Sequence, residues 1–589
     1  MWPTDSGKYL SSTFGETRSA HFHAGLDIKT WGKEGYRVFA SRDGLVQRLL
    51  VTERGYGKAI YLKHEDGTST IYAHLQRFNK ELQAIADSIR LTDYSFEMDA
   101  RIDSMGIVVG QGDLIGFTGS TGIGPPHLHF EIRDSLDNPV NALKTNLTVL
   151  DNLPPVFSSL IAEPLDKNSR VDGKPFSNLY RPSKIEPGLY DFGEITLSGK
   201  AGLAVNVFDQ ANDVHNAYAV HTLALIQHSD TLFFERLDTF SYENKGEMLL
   251  DRIAPFGSSR RGHQRLYGKD GQQNPFYIKV EPEAQIQAAD SLQAYTIIAA
   301  DYFGNTSKAR VSIRKDTSSH NNYTPIFGSN TKSWYWSENW ASPDLKNTIN
   351  LKRNNLGFPW TDDQQIIPTK DTTFILFSRI TPGRAQKIIS PDSRLLLRFR
   401  ENTFFDTLTV ASTYHAKDGN IHLSTQPEML PAKSAFKIEF FLANDFKEGN
   451  NYRLFRIKSS NGDLSYVDSK LRGRTIHAYL DELGEFIIKA DNDPPLISNF
   501  TVFKTDYGIW LAKIHVEDEL TGIQSASAEF TVNGKRGIAE YDYEEELLIY
   551  YLPGFIPRTQ NTAEIMVKDK AGNQTFLILE YELSSFKNL

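Results

Sequence analysis

The chain has 589 residues, with 64 Lys and Arg against 73 Asp and Glu, a formal net charge of −9 and no cysteine. That length exceeds what one hydrophobic core serves and calls for about three to five domains. The charge balance, with no large basic block, gives no support to a nucleic-acid partner, and the missing cysteines exclude disulfides, thiolate zinc sites and cysteine nucleophiles.

No stretch approaches the roughly 18 consecutive apolar residues that a membrane-spanning helix needs. The start, Met1-Trp2-Pro3-Thr4-Asp5, has neither a basic n-region nor an apolar h-region, so it is not a secretion signal. Either the protein is cytoplasmic or its signal is not part of this sequence; the function argued below favours the second, an exported protein.

The first chemically loaded stretch is His21-Phe22-His23-Ala24-Gly25-Leu26-Asp27. Short alternating runs follow at 38–40, 44–51, 58–63 and 69–74, punctuated by Asp43-Gly44, Gly55-Tyr56-Gly57 and Asp66-Gly67. This pattern predicts an antiparallel sheet of hairpins, with Asp66-Gly67 as a tight turn between the strands of Tyr61 and Tyr72. His74 closes the last of these runs. Residues 81–90 predict a short helix, because Leu82, Ile85, Ala86 and Ile89 recur at intervals of three and four.

Sheet returns at 107–109 and 112–117. Gly119-Ser120-Thr121-Gly122-Ile123-Gly124 is then a flexible turn without the Lys-Ser/Thr of a phosphate loop, better suited to bringing backbone close to an extended substrate. In the strand-like run Pro126-His127-Leu128-His129-Phe130-Glu131, residues two apart share a face. His127, His129 and Glu131 therefore lie on one side, with Leu128 and Phe130 behind. Imidazoles with a carboxylate suit a catalytic zinc, which takes three protein ligands and keeps one position open. His21 and His64 read as ordinary hydrogen-bonded histidines. Glu131 is expected either to orient an imidazole or to accept backbone and solvent hydrogen bonds.

His23-x-x-x-Asp27, the Gly44-x-Val46 strand, Gly55-Tyr56-Gly57, Tyr72-Ala73-His74-Leu75, Gly112-Asp113-x-x-Gly116, Gly119-Ser120-Thr121-Gly122 and His127-Leu128-His129-Phe130-Glu131, in this order, resemble peptidase family M23, the lysostaphin-like zinc metallopeptidases. The resemblance covers about the first 145 residues. It implies one zinc ion held by His23, Asp27 and His129, with His74 and His127 as catalytic histidines beside it. It further implies an endopeptidase that cuts peptide crosslinks of bacterial peptidoglycan, expected to be D-Ala-meso-diaminopimelate bonds. The location implied is the periplasm or outer membrane of a bacterium with an outer membrane. The competing expectation is an M23-like scaffold, non-catalytic or autoinhibited, that recruits or activates another cell-wall enzyme. Two departures from the family pattern are the long Gln76-to-Gly110 segment and Pro125-Pro126, either of which could shape the groove.

Beyond residue 150, Asp151-Asn152-Leu153-Pro154-Pro155 and Asp491-Asn492-Asp493-Pro494-Pro495 each precede an alternating strand. Asp301-Tyr302-Phe303-Gly304-Asn305 and Asp569-Lys570-Ala571-Gly572-Asn573 recur near the ends of the same segments. The repetition predicts two divergent immunoglobulin-like β-sandwiches. The expected fold class is therefore all-β: a metallopeptidase domain at 1–150, a sandwich at 151–314, a linker at 315–364 carrying Trp334, Trp336 and Trp340, a β-rich domain at 365–490, and a second sandwich at 491–589. The β modules are expected to meet a cell-envelope partner. No metal-type cluster is expected after residue 150, with His415 and His422 too far apart in sequence to be read together.

Overall fold

The computed structural model describes residues 1–18, 21–165, 169–174, 177–253, 262–269, 271–318, 335–336, 340–342, 349–350, 364–368, 374–404, 408–426, 431–458 and 461–583. Strands dominate, in several largely antiparallel sheets, as expected for an all-β chain. Trp334 and most of the expected linker lie outside the described residues. Two compact units are present, one of residues 1–11, 25–149 and 491–589, the other of 12–24 and 150–490.

In the first unit the N-terminal residues supply strands β1 (Leu10–Ser12), β2 (Leu26–Lys29), β3 (Arg37–Phe39), β4 (Gly44–Val51), β5 (Lys58–Lys63), β6 (Ser69–Ala73), β7 (Leu75–Phe78), β8 (Met98–Arg101), β9 (Val108–Val109), β10 (Leu114–Thr118), β11 (His127–Arg133) and β12 (Pro139–Val140), with helix α1 at Lys80–Arg90. The main sheet runs β1-β2-β11-β6-β5-β4-β8, with β12 on β11 and β9 on β4. A smaller sheet runs β3-β10-β7. Leu26, Ile28, Ile60, Leu62, Tyr72, Leu128 and Phe130 are fully buried. Strand β11 thus turns its apolar residues to a core, which fixes the opposite orientation of its histidines.

The connection between β5 and β6 is the tight turn expected at Asp66-Gly67: the His64 N–H bonds the Thr68 carbonyl at 3.0 Å, and Gly67, at φ +82°, donates its N–H to the His64 carbonyl at 3.0 Å. Lys63 pairs with Ser69, and Asp66 Oδ1 accepts the Thr68 N–H at 3.0 Å. His64 flanks this turn. It is buried, its Nδ1 2.7 Å from the Asp43 carbonyl and its Nε2 2.9 Å from Thr70 Oγ1, so its role is structural.

Helix α1 begins at its Asn79 cap, whose Oδ1 accepts the Leu82 N–H at 2.9 Å. Its buried face comprises Leu82, Ala86, Asp87 and Arg90, turned from the purely apolar face expected. The reason is the C-terminal sheet. Tyr551 donates to Asp87 Oδ2 at 2.7 Å, and Arg90 Nη2 meets Glu540 Oε1 at 2.6 Å. Lys58 Nζ reaches the other Glu540 oxygen at 3.1 Å. Arg77 stacks on Tyr507 and Arg54 on Tyr543. The Gln76-to-Gly110 segment therefore provides a platform for residues 491–589. That C-terminal sheet has seven strands in the order Leu496–Lys504, Trp510–Glu517, Leu547–Tyr551, Lys535–Asp542, Glu529–Val532, Gln560–Lys568, Gln574–Glu582, around a core that includes Ile514, Phe530, Tyr550 and Ile565.

In the second unit, residues 156–315 form a six-stranded and an eight-stranded sheet that share one core, with Leu160, Leu203, Leu223, Phe233 and Ile297 inside. Residues 364–490 form a seven-stranded and a five-stranded sheet around Leu397, Phe436, Leu454 and Phe486. The segment 12–24 belongs to this unit, where Phe14 and Phe22 pack with Leu237, Phe240 and Phe276.

Candidate metal centre

Strand register creates the site. On β11, His129 stands opposite Asp27 of β2 on one side and Ala73 of β6 on the other. Directly opposite side chains in adjacent strands share a face, so Asp27 and His129 converge, and the residue after Ala73 is His74. Ligand atoms of His23, Asp27 and His129 all lie within 4.8 Å of one another. His127 Nε2 is 3.6 Å from Asp27 Oδ1. The His74 ring lies 4.4 Å from that of His127 and 5.8 Å from that of His129, centre to centre.

Three of the imidazoles are oriented through Nδ1 by a backbone carbonyl. His74 Nδ1 is 2.9 Å from the Thr121 carbonyl, His127 Nδ1 is 2.7 Å from that of Pro125, and His23 Nδ1 is 2.8 Å from that of Thr13. A carbonyl only accepts, so in each neutral ring Nδ1 carries the proton and Nε2 the lone pair. His129 is reversed: its Nδ1 is 2.8 Å from Asp27 Oδ1 and its Nε2 2.8 Å from Glu131 Oε1. Glu131, fully buried, also receives Arg133 Nε at 2.8 Å and the Tyr56 hydroxyl. A carboxylate behind a histidine that faces a metal fixes the tautomer and raises the ring's basicity.

Burial lowers the His74 pKa to about 3, with help from the neighbouring His127 and His129. Burial also opposes the charged form of His129, but hydrogen bonds to Asp27 and Glu131, and their charges, raise its pKa to about 9. Burial pushes the Glu131 carboxyl up, and the His129 hydrogen bond with the Arg133 charge holds it well below the usual carboxylate range. His74 has φ +59°, in the left-handed region that side chains other than glycine seldom occupy. Strained backbone of this kind gathers at functional sites. Two imidazole nitrogens and one carboxylate oxygen form a donor set that suits zinc and leaves a position for water or substrate.

The glycine loops pack on one another. Gly57, at φ +61°, and Gly122, at φ +90°, pack face to face. A Cβ on Gly57 would meet Thr121 at 2.2 Å, and one on Gly122 would meet the Gly55 carbonyl at 2.3 Å. The glycines therefore let the 119–124 loop lie against the 55–57 turn, which places the Thr121 carbonyl that orients His74. Pro125 and Pro126, which lack N–H groups, supply carbonyls to His127 and to Thr30 Oγ1.

The expectation that no metal-type cluster follows residue 150 is overturned. Ligand atoms of Asp151, Asp209 and Asp301 converge, as do those of Asp491, Asp518 and Asp569, and of the more exposed His515, Glu517 and Glu546. The repeated Asp-Asn-x-Pro-Pro and Asp-x-x-Gly-Asn motifs carried the signal for the first two, since four of their six residues sit in those motifs. His415 and His422, far apart in sequence, are cross-strand partners with stacked rings 5.0 Å apart.

With the all-β fold and the convergent His/Asp site described, the comparisons show what the N-terminal part is similar to. Residues 21–88 match the model of peptidase family M23. It is 33% identical over 126 residues to the DD-carboxypeptidase/endopeptidase Mpg of Neisseria meningitidis serogroup B, covering 21% of this chain and 23% of that protein. It is 32% identical over 136 residues to the murein hydrolase activator NlpD of Escherichia coli K12, covering 22% and 27%. The matched part is thus about a quarter of each relative's length. A zinc containing peptidase from Vibrio cholerae aligns at 24% identity over 25% of this chain and 40% of that one, with a TM-score of 0.18. Among the described residues, no helix is long and apolar enough to cross a membrane.

Proposed function

We propose that the chain is an exported zinc-dependent endopeptidase acting on peptide crosslinks of bacterial peptidoglycan, with His23, Asp27 and His129 holding one zinc ion and His74 and His127 as catalytic residues. The observation that carries this reading is the convergence of His23, Asp27 and His129 with the two further imidazoles beside them. Zinc, when bound, supplies a Lewis acid that activates water and polarises a carbonyl.

The protein's own residues account for the proton traffic. His74 and His127 each keep Nδ1–H on a backbone carbonyl and so present an acceptor Nε2. Either ring can take a proton from the attacking water and return it to the leaving amine nitrogen, and the protonated ring steadies the oxyanion. Glu131 holds His129 from behind. The bond favoured is D-Ala-meso-diaminopimelate, supported by the DD-specificity in the name of the Neisseria relative.

The second reading is an activator of another cell-wall enzyme, favoured by the likeness to NlpD. A surface that only recruits has no need of five convergent metal-competent groups, which is the argument for catalysis. The test is His74→Ala and His127→Ala, each assayed on purified diaminopimelate-type peptidoglycan. Both variants are expected to keep zinc and to lose about 10²- to 10⁴-fold in turnover. Unchanged turnover in both would remove the assignment.

A further inference from the structure

The two β modules at 156–315 and 496–583 repeat one arrangement at their entrances, and the two copies differ in one respect. In each, an aspartate leads into the module, a second follows an inner strand, and a third opens the turn before the final strand: Asp151, Asp209 and Asp301 in the first, Asp491, Asp518 and Asp569 in the second. The scaffolding around them is duplicated. Asn305 donates from its side chain to the Asp151 carbonyl and to Asp301 Oδ2, as Asn573 does to the Asp491 carbonyl and to Asp569 Oδ2. Ser307 Oγ bonds the Pro155 carbonyl, as Thr575 Oγ1 bonds that of Pro495.

In the C-terminal copy the protein itself caps the carboxylates. Thr521 donates N–H and hydroxyl to Asp491 Oδ2, and Gly522 and Leu520 donate N–H to Asp518 Oδ1. In the first copy the position equivalent to Thr521 is Asn212, three residues after the second aspartate, and Asn212 turns away to pair with Asn152. Asp209 is left 4% exposed with no hydrogen-bond donor on its Oδ1. An unpartnered buried carboxylate oxygen is costly, and here it stands among carboxylates whose ligand oxygens lie within 4.8 Å of one another.

We propose that Asp151, Asp209 and Asp301 form a calcium site that fastens the chain entering the first sandwich module to that module's interior. The donors are all oxygen, with three formal negative charges and no nitrogen or sulfur, which selects a hard cation over zinc or copper. Magnesium keeps most of its water and seldom occupies a protein cage, whereas calcium accepts irregular sets of carboxylates and carbonyls. Without a cation the carboxylates repel one another, and the direction agrees: burial, then the charges of Asp151 and Asp301, push the Asp209 carboxyl well above the usual carboxylate range. The site is separate in sequence and chemistry from the His/Asp centre.

The test uses the full chain, loaded with zinc and exchanged into calcium-free buffer. Calcium is titrated by calorimetry, and terbium luminescence is read through Tyr218, whose backbone pairs with that of Asp209. The proposal expects saturable calcium binding that weakens at least about tenfold in Asp209→Asn, since affinity follows the number of charged ligands, and that survives in Asp518→Asn and in His129→Ala. It also expects a calcium-dependent rise in the melting temperature of the unaltered chain, a readout that does not depend on any variant folding. Absence of calcium binding by the unaltered chain, or binding that Asp209→Asn and Asp301→Asn leave intact, would overturn it in favour of a proton-sharing carboxylate group.

Discussion

His129 is held at both ring nitrogens, by Asp27 at Nδ1 and by Glu131 at Nε2, and the two contacts do different things. The first lies among the proposed metal ligands, and the second sets the tautomer that lets Nδ1 serve as one. Replacing Glu131 by Gln keeps the size and removes the charge. The expected outcome is a zinc affinity about 10- to 100-fold weaker, read by competition with a chromophoric chelator, and affinity equal to that of the unaltered chain would contradict the role given to Glu131. At this scale much was legible: period-two alternation put His127, His129 and Glu131 on one face, and the register of β2, β11 and β6 supplied what periodicity cannot, the partner of each residue. The left-handed backbone of His74 was not legible. It follows from the loop packing at Gly57 and Gly122, two segments more than sixty residues apart.

Helix α1 shows how an element can be predicted while its purpose is not. The spacing of Leu82, Ile85, Ala86 and Ile89 announced a helix, but Asp87 and Arg90 are buried because Tyr551 and Glu540, over 400 residues later, bond to them. Nothing local in either sequence names the other. Arg90 is 1% exposed, so Glu540→Ala would leave a buried cation without its carboxylate, at a cost of about 3–5 kcal/mol. Urea unfolding at neutral pH is the measurement, and an unchanged midpoint would contradict the docking role. The sign of the pH dependence is fixed as well. Burial raises the Glu540 pKa, but Lys58 and Arg90 outweigh it and bring it to about 2. This contribution is therefore present above the ordinary glutamate value of about 4.3 and is lost as pH falls towards 2. Glu540→Ala should be less acid-sensitive over that window than the unaltered chain. Close by, Glu544 Oε1 accepts the Gly124 N–H at 3.0 Å, three residues before His127, so the C-terminal sheet also braces the loop that carries a proposed catalytic residue.

Across the whole molecule, sequence repetition announced two related modules, but three-dimensional grouping cuts across chain order. Residues 491–589 group with residues 1–11 and 25–149, and residues 12–24 group with 150–490. Phe14 and Phe22, on either side of the hairpin that ends at His23, are buried among Leu237, Phe240 and Phe276, so a fragment ending at residue 150 would expose both rings. That arrangement could not be read from composition, because an apolar residue near a histidine motif looks the same whether its partner is ten or two hundred residues away. The most direct measurement is zinc content alongside release of crosslink products from purified diaminopimelate-type peptidoglycan, comparing the full chain with His129→Ala. One zinc per chain and hydrolysis, both lost in His129→Ala, is the predicted result; a full chain that binds no zinc, or one whose hydrolysis survives the loss of His129, would contradict it.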